Sequence, residues 1–198
     1  MSVLTFSKAF LDRFANTVYP ELHRRALAYN NFWKLHSTDK TITDVNQWLE
    51  ATVSAAENDC EAILSTLPKH YDLDVKMLDI LRWVKDNIVY TPDTELHGQL
   101  EYWQTPKETL LLRKGDCEDG AILILALAKH AGIPTDRYVI QWGEVIGGGH
   151  CYVVYNRGED GESVVLDWCY WWTNLAVKLR SWIGDDKKYG TIWGAAGL

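Results

Sequence analysis

The sequence predicts an α+β fold in which a buried helix packs on an antiparallel sheet. Three observations predict it: apolar residues recur at helical spacing in the first half, one apolar helix follows the motif GDCEDG, and three strand-like stretches follow Pro134. Helices followed by a run of strands are typical of this class. We expect residues 1–72 to form an N-terminal helical extension and residues 73–198 to form the core, which ends in a tryptophan-rich segment.

The first elements are predicted to be helices. Apolar residues recur at helical spacing from Thr43 to about Leu67, with Pro68 as a stop, and residues 6–35 carry a weaker pattern of the same kind. A further helix is predicted from Asp74, taken as its N-cap, to Ile88. The following stretch, VYTPDTELHGQLEYWQ, is typical of a loop.

A short helix then begins with three start signals. Thr105 offers a capping hydroxyl, Pro106 suits the first helical position, and Glu108 stands at the capping-box position. We expect Gly115 to end this helix.

The buried helix is predicted to begin at Asp116 or Cys117 and to end at His130 or Ala131, closed by Gly132. Its apolar residues surround the helix almost completely, which predicts a place in the middle of the fold. We expect Asp116 to cap it, and Asp119 or Glu118 to bond to the neighbouring loop.

Three strands are predicted after Pro134, from the stretches RYVIQWGEV, HCYVVYN and ESVVLDW, with RGEDG as a turn between the last two. Five of the ten tryptophans lie at or after Trp168, and either a core cluster or a stacking surface would account for them.

Composition excludes some classes of partner. The net charge is −7 and no basic run or basic helix face stands out, so we expect no nucleic-acid partner. The beginning of the chain lacks the pattern of a signal peptide, and no apolar run approaches the roughly 20 residues of a membrane helix. The four cysteines are sparse and lack paired zinc spacing, so we expect reduced thiols.

Cys117 is predicted to lie at the start of the buried helix, a position that makes a cysteine more reactive. At the first turn of a buried helix, free N–H groups and the helix dipole favour the thiolate, and the same N–H groups can stabilise an oxyanion. His150 begins a predicted strand after three glycines, and Asp167 ends the next strand, where an unpaired carboxylate would be costly to bury. Neighbouring antiparallel strands can place the two side by side, so the sequence predicts a thiol, an imidazole and a carboxylate in one site.

The runs WQTPKETLLLRKGDCEDGAILILALAKHAGIP, GGGHCYVVY and VVLDW resemble the transglutaminase-like superfamily, in particular its bacterial and phage transglutaminase-like cysteine peptidase branch. The resemblance spans roughly residues 83 to 170. It implies a papain-like α+β core in which Cys117 is the nucleophile, His150 the base and Asp167 the residue that orients the base. Because the sequence shows no signal peptide and no transmembrane segment, we expect a cytoplasmic protein, or one carried in a phage particle if a phage encodes it.

Relatives often use an aromatic or glutamine side chain before the cysteine as a second oxyanion donor. This chain offers Tyr90, Trp103 and Gln104, and we favour Trp103 or Gln104 because both come just before the helix that leads to GDCEDG. We expect no cofactor and no metal.

The motif defines acyl transfer, and three functions remain open. We expect a thiol protease or amidase that hydrolyses peptide or isopeptide bonds, because the chain is short and has no evident second domain to present an amine. The second is a transglutaminase, in which an amine resolves the acyl-enzyme. The third is a non-enzymatic binding or assembly module that keeps the fold. The expected partner is a protein or peptide substrate.

Overall fold

A computed structural model describes residues 42, 44–145, 148–158, 161–169 and 189–198. The helices predicted within residues 6–35 lie outside this part of the chain. The described helices are α1 (Val45–Ser54), α2 (Glu57–Leu64), α3 (Leu73–Asn87), α4 (Asp93–Leu96), α5 (Pro106–Leu112) and α6 (Cys117–His130), with a short 3-10 turn at Thr135–Arg137. The described strands are β1 (Val89–Tyr90), β2 (Lys114–Gly115), β3 (Tyr138–Val145), β4 (Gly148–Asn156), β5 (Ser163–Leu166) and β6 (Tyr189–Ala196).

The main sheet has four antiparallel strands in the order β5, β4, β3, β6. Three of them are the predicted strands, and the α+β prediction is confirmed. The fourth, β6, was not predicted. It pairs with β3, and its Gly194 lies so close to the Trp142 indole that a side chain at that position would overlap the ring.

Helix α6 forms the middle of the core, as its apolar circumference predicts. All eight residues from Ala121 to Ala128 are fully buried, and the helix packs against α1, α2, α3, α5, β3 and β4. Its bounds agree with the prediction, and Gly132 follows it with a φ of +77°. A helix surrounded in this way holds its first residue in a fixed place relative to the sheet.

Two helix predictions in the first half are corrected. The single helix predicted from Thr43 to Leu67 is two helices, α1 and α2, separated at Ala55 and Ala56, and the cap of α1 is Asp44. Helix α3 is capped by Asp72, whose side chain accepts hydrogen bonds from two N–H groups of the first turn.

Asp74, predicted as that cap, has a different role. It is buried and accepts hydrogen bonds from Arg137, from the Tyr155 hydroxyl and from the Gly158 N–H. The cap is Asp72, two residues before the predicted one. Asp74, which is nearer to the apolar residues of the helix, instead binds residues of the sheet and of its connecting segments.

The loop and the short helix before α6 are partly as predicted. The capping box of α5 is present, with Thr105 and Glu108 bonded to each other's main chain. The helix ends earlier than predicted, because Arg113 adopts the left-handed conformation with a φ of +55°. Gly115 instead lies in β2, which pairs in parallel with β1 in the stretch predicted as loop.

No helix in the described ranges is both long enough and apolar enough to cross a membrane. Of the late tryptophans, Trp168 belongs to the buried core, while Trp171, Trp172 and Trp182 lie outside the described residues.

Candidate active site

Cys117 is the first residue of α6 and is half-buried at the edge of the core. Its thiol donates a hydrogen bond to Oε2 of Glu118 at 3.1 Å, and its carbonyl oxygen accepts one from the Trp168 indole N–H at 3.1 Å. The thiol is therefore held beside a carboxyl group, and its main chain is tied to the segment that follows β5.

His150 and Asp167 lie side by side, both about 95% buried, with 2.7 Å between His150 Nε2 and Asp167 Oδ2. His150 lies in β4, and Asp167 directly follows β5, the neighbouring strand. The other carboxylate oxygen, Oδ1, accepts a hydrogen bond from the main chain of Cys169 at 3.0 Å. The imidazole is thus oriented by a carboxylate that is itself held in place.

The electrostatics at Cys117 differ from the expectation based on its helix position. Burial, followed by the charge of Asp116, raises the pKa of the Cys117 thiol well above its ordinary value. The helix N-terminus favours a thiolate, but desolvation and neighbouring carboxylates act in the opposite direction. The thiol of the resting protein is therefore protonated at neutral pH, and its activation needs a base.

An acidic cluster surrounds the first turn of α6, and we define it as Asp93, Glu101, Asp116, Glu118 and Asp119. Asp119 is well satisfied: it accepts hydrogen bonds from the main chain and side chain of Gln104, in the preceding loop, as predicted, and from the Asp116 N–H. By contrast, three buried oxygens, Asp93 Oδ1, Asp116 Oδ1 and Glu118 Oε1, have no hydrogen-bond partner in the described part of the chain.

The acidic cluster holds protons that isolated carboxyl groups would release. Burial, assisted by the charge of Asp116, raises the pKa of Asp93 to about 8 and that of Glu101 to about 7. Burial likewise raises the pKa of Asp116, Glu118 and Asp119. Sequence analysis singled out the acids around Cys117 but missed Asp93 and Glu101, which lie in the stretch predicted as a loop and carry no local signal.

The three candidate oxyanion donors have different surroundings. The Trp103 indole N–H donates to Glu101 at 3.2 Å, and the Gln104 amide N–H donates to Asp119 at 2.6 Å. Both side chains are buried. Tyr90 is 52% exposed, pairs through its main chain with Gly115, and has its ring 6.0 Å from that of Trp168.

Among the residues that the structure describes, four groups of side chains have ligand atoms within 4.8 Å of one another, which is close enough for three atoms to share one metal ion. They are His150, Asp167 and Cys169; Asp116, Cys117 and Glu118; Asp93, Glu101 and Glu118; and Asp93, Asp116 and Asp119. The two all-carboxylate groups have the oxygen chemistry that hard cations prefer. Proximity of acids does not by itself make a metal site, and the His150 ring nitrogen in the first group already contacts Asp167.

Comparison with known proteins gives a family match over residues 61–186, to the profile described as "Transglutaminase-like superfamily". The match covers more than half of the chain and begins within the segment assigned to the N-terminal extension. A UPF0252 protein of Archaeoglobus fulgidus is 38% identical over 68 residues, which is 27% of this chain and 22% of that protein. The chain thus spans about a fifth of the length of this curated relative.

Among solved structures, Legionella pneumophila LapG superposes with a TM-score of 0.47 at 20% identity, covering 61% of this chain and 72% of that one. A calcium-bound form of LapG from the same organism gives 0.45 at 18% identity, with 62% and 72% covered.

Proposed function

The chain belongs to the transglutaminase-like superfamily, and we propose that it is a cysteine-dependent acyl-transfer enzyme that hydrolyses peptide or isopeptide bonds. At the level of the family, a cysteine-dependent enzyme with a transglutaminase-like core is supported. The observation that carries the proposal is the buried pair of His150 and Asp167 beside the helix that begins with Cys117.

In the proposed reaction, Cys117 Sγ attacks the carbonyl carbon of an amide while His150 accepts the thiol proton. Because His150 Nε2 contacts Asp167, the proton passes through Nδ1. The S–C bond forms, the C–N bond breaks, and the imidazolium gives its proton to the leaving amine. Water, deprotonated by His150, then attacks the acyl-enzyme, releases the acid and restores the thiol. Asp167 holds the ring and stabilises the imidazolium.

The proposed oxyanion donors are the main-chain N–H groups at the start of α6 and the hydroxyl of Tyr90. Trp103 and Gln104 are buried, and each already donates a side-chain N–H to a carboxylate, which favours Tyr90 as the donor. Tyr90 is half exposed, and its partial burial, followed by the charge of Cys117 and Asp116, raises the pKa of Tyr90, which keeps a proton on its hydroxyl. A protonated hydroxyl can donate to a developing oxyanion.

Acylation by p-nitrophenyl acetate tests this proposal without knowledge of the natural substrate. We expect a burst of p-nitrophenol and an acetyl adduct on the Cys117 peptide, found by mass spectrometry. Cys117→Ala should lose the burst, and Cys169→Ala, which removes a second half-buried thiol, should keep it. Absence of an adduct on Cys117 in the folded protein would leave the non-enzymatic module as the better account.

The same acyl-enzyme separates hydrolysis from transfer. With putrescine added at a fixed pH, a hydrolase releases acetate at an unchanged rate, whereas a transglutaminase releases N-acetylputrescine and turns over faster. The proposal predicts acetate as the main product. A dominant N-acetylputrescine product would replace the hydrolase by the transglutaminase.

A further inference from the structure

Trp168 links the two parts of the proposed active site, which are the start of α6 at Cys117 and the pair of His150 and Asp167. It directly follows Asp167 in sequence, is buried, and donates its indole N–H to the carbonyl oxygen of Cys117 at 3.1 Å. The Trp168 side chain therefore links the main chain of Cys117, the proposed nucleophile, to the segment that contains Asp167, the carboxylate that orients the base.

The Trp168 indole packs directly against the main chain of α6 at Gly120. Gly120 lies one turn after Cys117, and a side chain there would overlap the indole ring of Trp168. Glycine is a poor residue for the interior of a helix, so its use at this position serves the close approach of the ring. Helix formation alone therefore does not explain Gly120, whereas its contact with Trp168 does.

A second neighbour limits the ring from another direction. The Tyr90 ring lies 6.0 Å from that of Trp168 at an angle of 43°, and Tyr90 is itself fixed by the pairing of β1 with β2. The indole is thus held by a hydrogen bond, by a close main-chain surface and by an aromatic contact.

We infer that Trp168 is a positioning residue, which fixes the separation between the Cys117 thiol and the pair of His150 and Asp167. The inference rests on the proposed function. Asp167 contacts His150 at 2.7 Å, so a shift of the segment after β5 would carry the imidazole away from the thiol. A misplacement of about 1 Å in such a site is enough to slow the reaction strongly.

The test is a double-mutant cycle read by alkylation of Cys117 with iodoacetamide at pH 7. Trp168→Phe keeps an aromatic ring and removes the N–H. Because one hydrogen bond of this kind corresponds to a change of about fivefold, we expect Trp168→Phe to slow alkylation about fivefold in the wild-type background and to have no effect in the His150→Ala background.

Two further variants complete the test. Gly120→Ala pushes against the edge of the ring that carries the N–H and should slow alkylation as Trp168→Phe does, with a smaller effect when Trp168 is replaced by alanine. Trp83→Phe, at a half-buried tryptophan of α3 that stacks with Arg113, should leave the rate unchanged.

Two results would overturn the inference: an unchanged rate in Trp168→Phe, or an equal slowing in both backgrounds, which would mean a general change of access to the thiol. Failure of the proposed function has a different signature, namely equal rates in wild type and His150→Ala.

Discussion

The two ends of helix α6 differ in how their charges are matched. At the C-terminal end, Lys76 donates to the carbonyl of Ala131 at 3.0 Å, Lys129 pairs with Glu50 at 2.6 Å, and Gly132 closes the helix in the left-handed conformation. Cations near a helix C-terminus and a closing glycine are both stabilising. Charge and hydrogen bonding at this end agree with what a stable helix needs.

At the N-terminal end, acids are also expected from the helix dipole, but five of them crowd together, and burial raises the pKa of each. Three buried oxygens of the acidic cluster have no hydrogen-bond partner among the described residues. An arrangement of this kind costs stability. Ionisable groups with perturbed pKa values are typical of functional sites, which agrees with the proposal that the reaction takes place at this end of the helix.

The largest expected effect is on the acylation rate and comes from the proposed base beside the N-terminal end of α6. His150→Ala should lower the rate of acylation by p-nitrophenyl acetate by about 10²- to 10⁴-fold, the usual contribution of a general base. Circular dichroism and thermal melting check that the fold is retained. A loss of less than about tenfold in a folded variant would contradict the assignment of His150 as the base.

The next effect concerns Tyr90. Tyr90→Phe should lower the acylation rate by about 10²- to 10³-fold, as the loss of one oxyanion donor does, and should leave the melting temperature nearly unchanged because Tyr90 is half exposed. Trp103→Phe is the matched variant at a buried candidate for the same oxyanion-donor role. It should lower the melting temperature more than it lowers the acylation rate. The reverse pattern would return the role to Trp103.

The acidic cluster predicts the pH dependence of stability. In the unfolded chain these carboxyls have pKa values near 4, whereas in the fold the pKa of Asp93 is about 8 and that of Glu101 about 7. The folded state therefore holds more protons between about pH 4 and pH 8, so the contribution of these two groups to stability is fully present below about pH 4 and is lost as pH rises to their folded pKa values.

Urea unfolding at pH 5 and pH 9, in EDTA so that no divalent cation replaces a proton, measures this fall. Asp93→Asn should reduce the fall by at least about 1.4 kcal/mol, the equivalent of one pKa unit. Glu61→Gln, at an exposed acid of α2, is the matched control and should leave it unchanged. An Asp93→Asn variant with the same fall as the wild type would be incompatible with a protonated Asp93 in the fold.

The smallest effect is at the C-terminal end. Lys129→Met removes a partly exposed ion pair and should lower the free energy of unfolding by about 0.2–1 kcal/mol, with no change in the alkylation rate of Cys117. Urea unfolding and peptide mass spectrometry measure the two quantities on one sample. A change in Cys117 reactivity would show that the two ends of α6 are not separable.

Local signals in the sequence predicted the elements that depend on local interactions. The capping box at Thr105 and Glu108 and the bounds of α6 follow from residues within one turn. The pairing of His150 with Asp167 could also be predicted, because strand order and a costly unpaired carboxylate both indicate it.

Features that depend on distant residues were not predictable in this way. Strand β6 was missed because only its pairing with β3 and the fit of Gly194 to Trp142 define it. The raised pKa of Cys117 was missed because desolvation depends on how the loop and helix pack. The contact between Trp168 and Cys117 joins residues 51 positions apart, and no periodicity indicates it.

The most direct measurement is the rate of Cys117 alkylation by iodoacetamide from pH 5 to 10, in wild type and His150→Ala, read by peptide mass spectrometry. Because burial and Asp116 raise the pKa of the thiol, little thiolate forms near pH 7 without a base. We predict that wild-type Cys117 reacts at least about tenfold faster at pH 7 than in His150→Ala, and that the ratio of the two rates falls as pH rises and more thiolate forms without a base. Equal rates at pH 7 would contradict the pairing of Cys117 with His150.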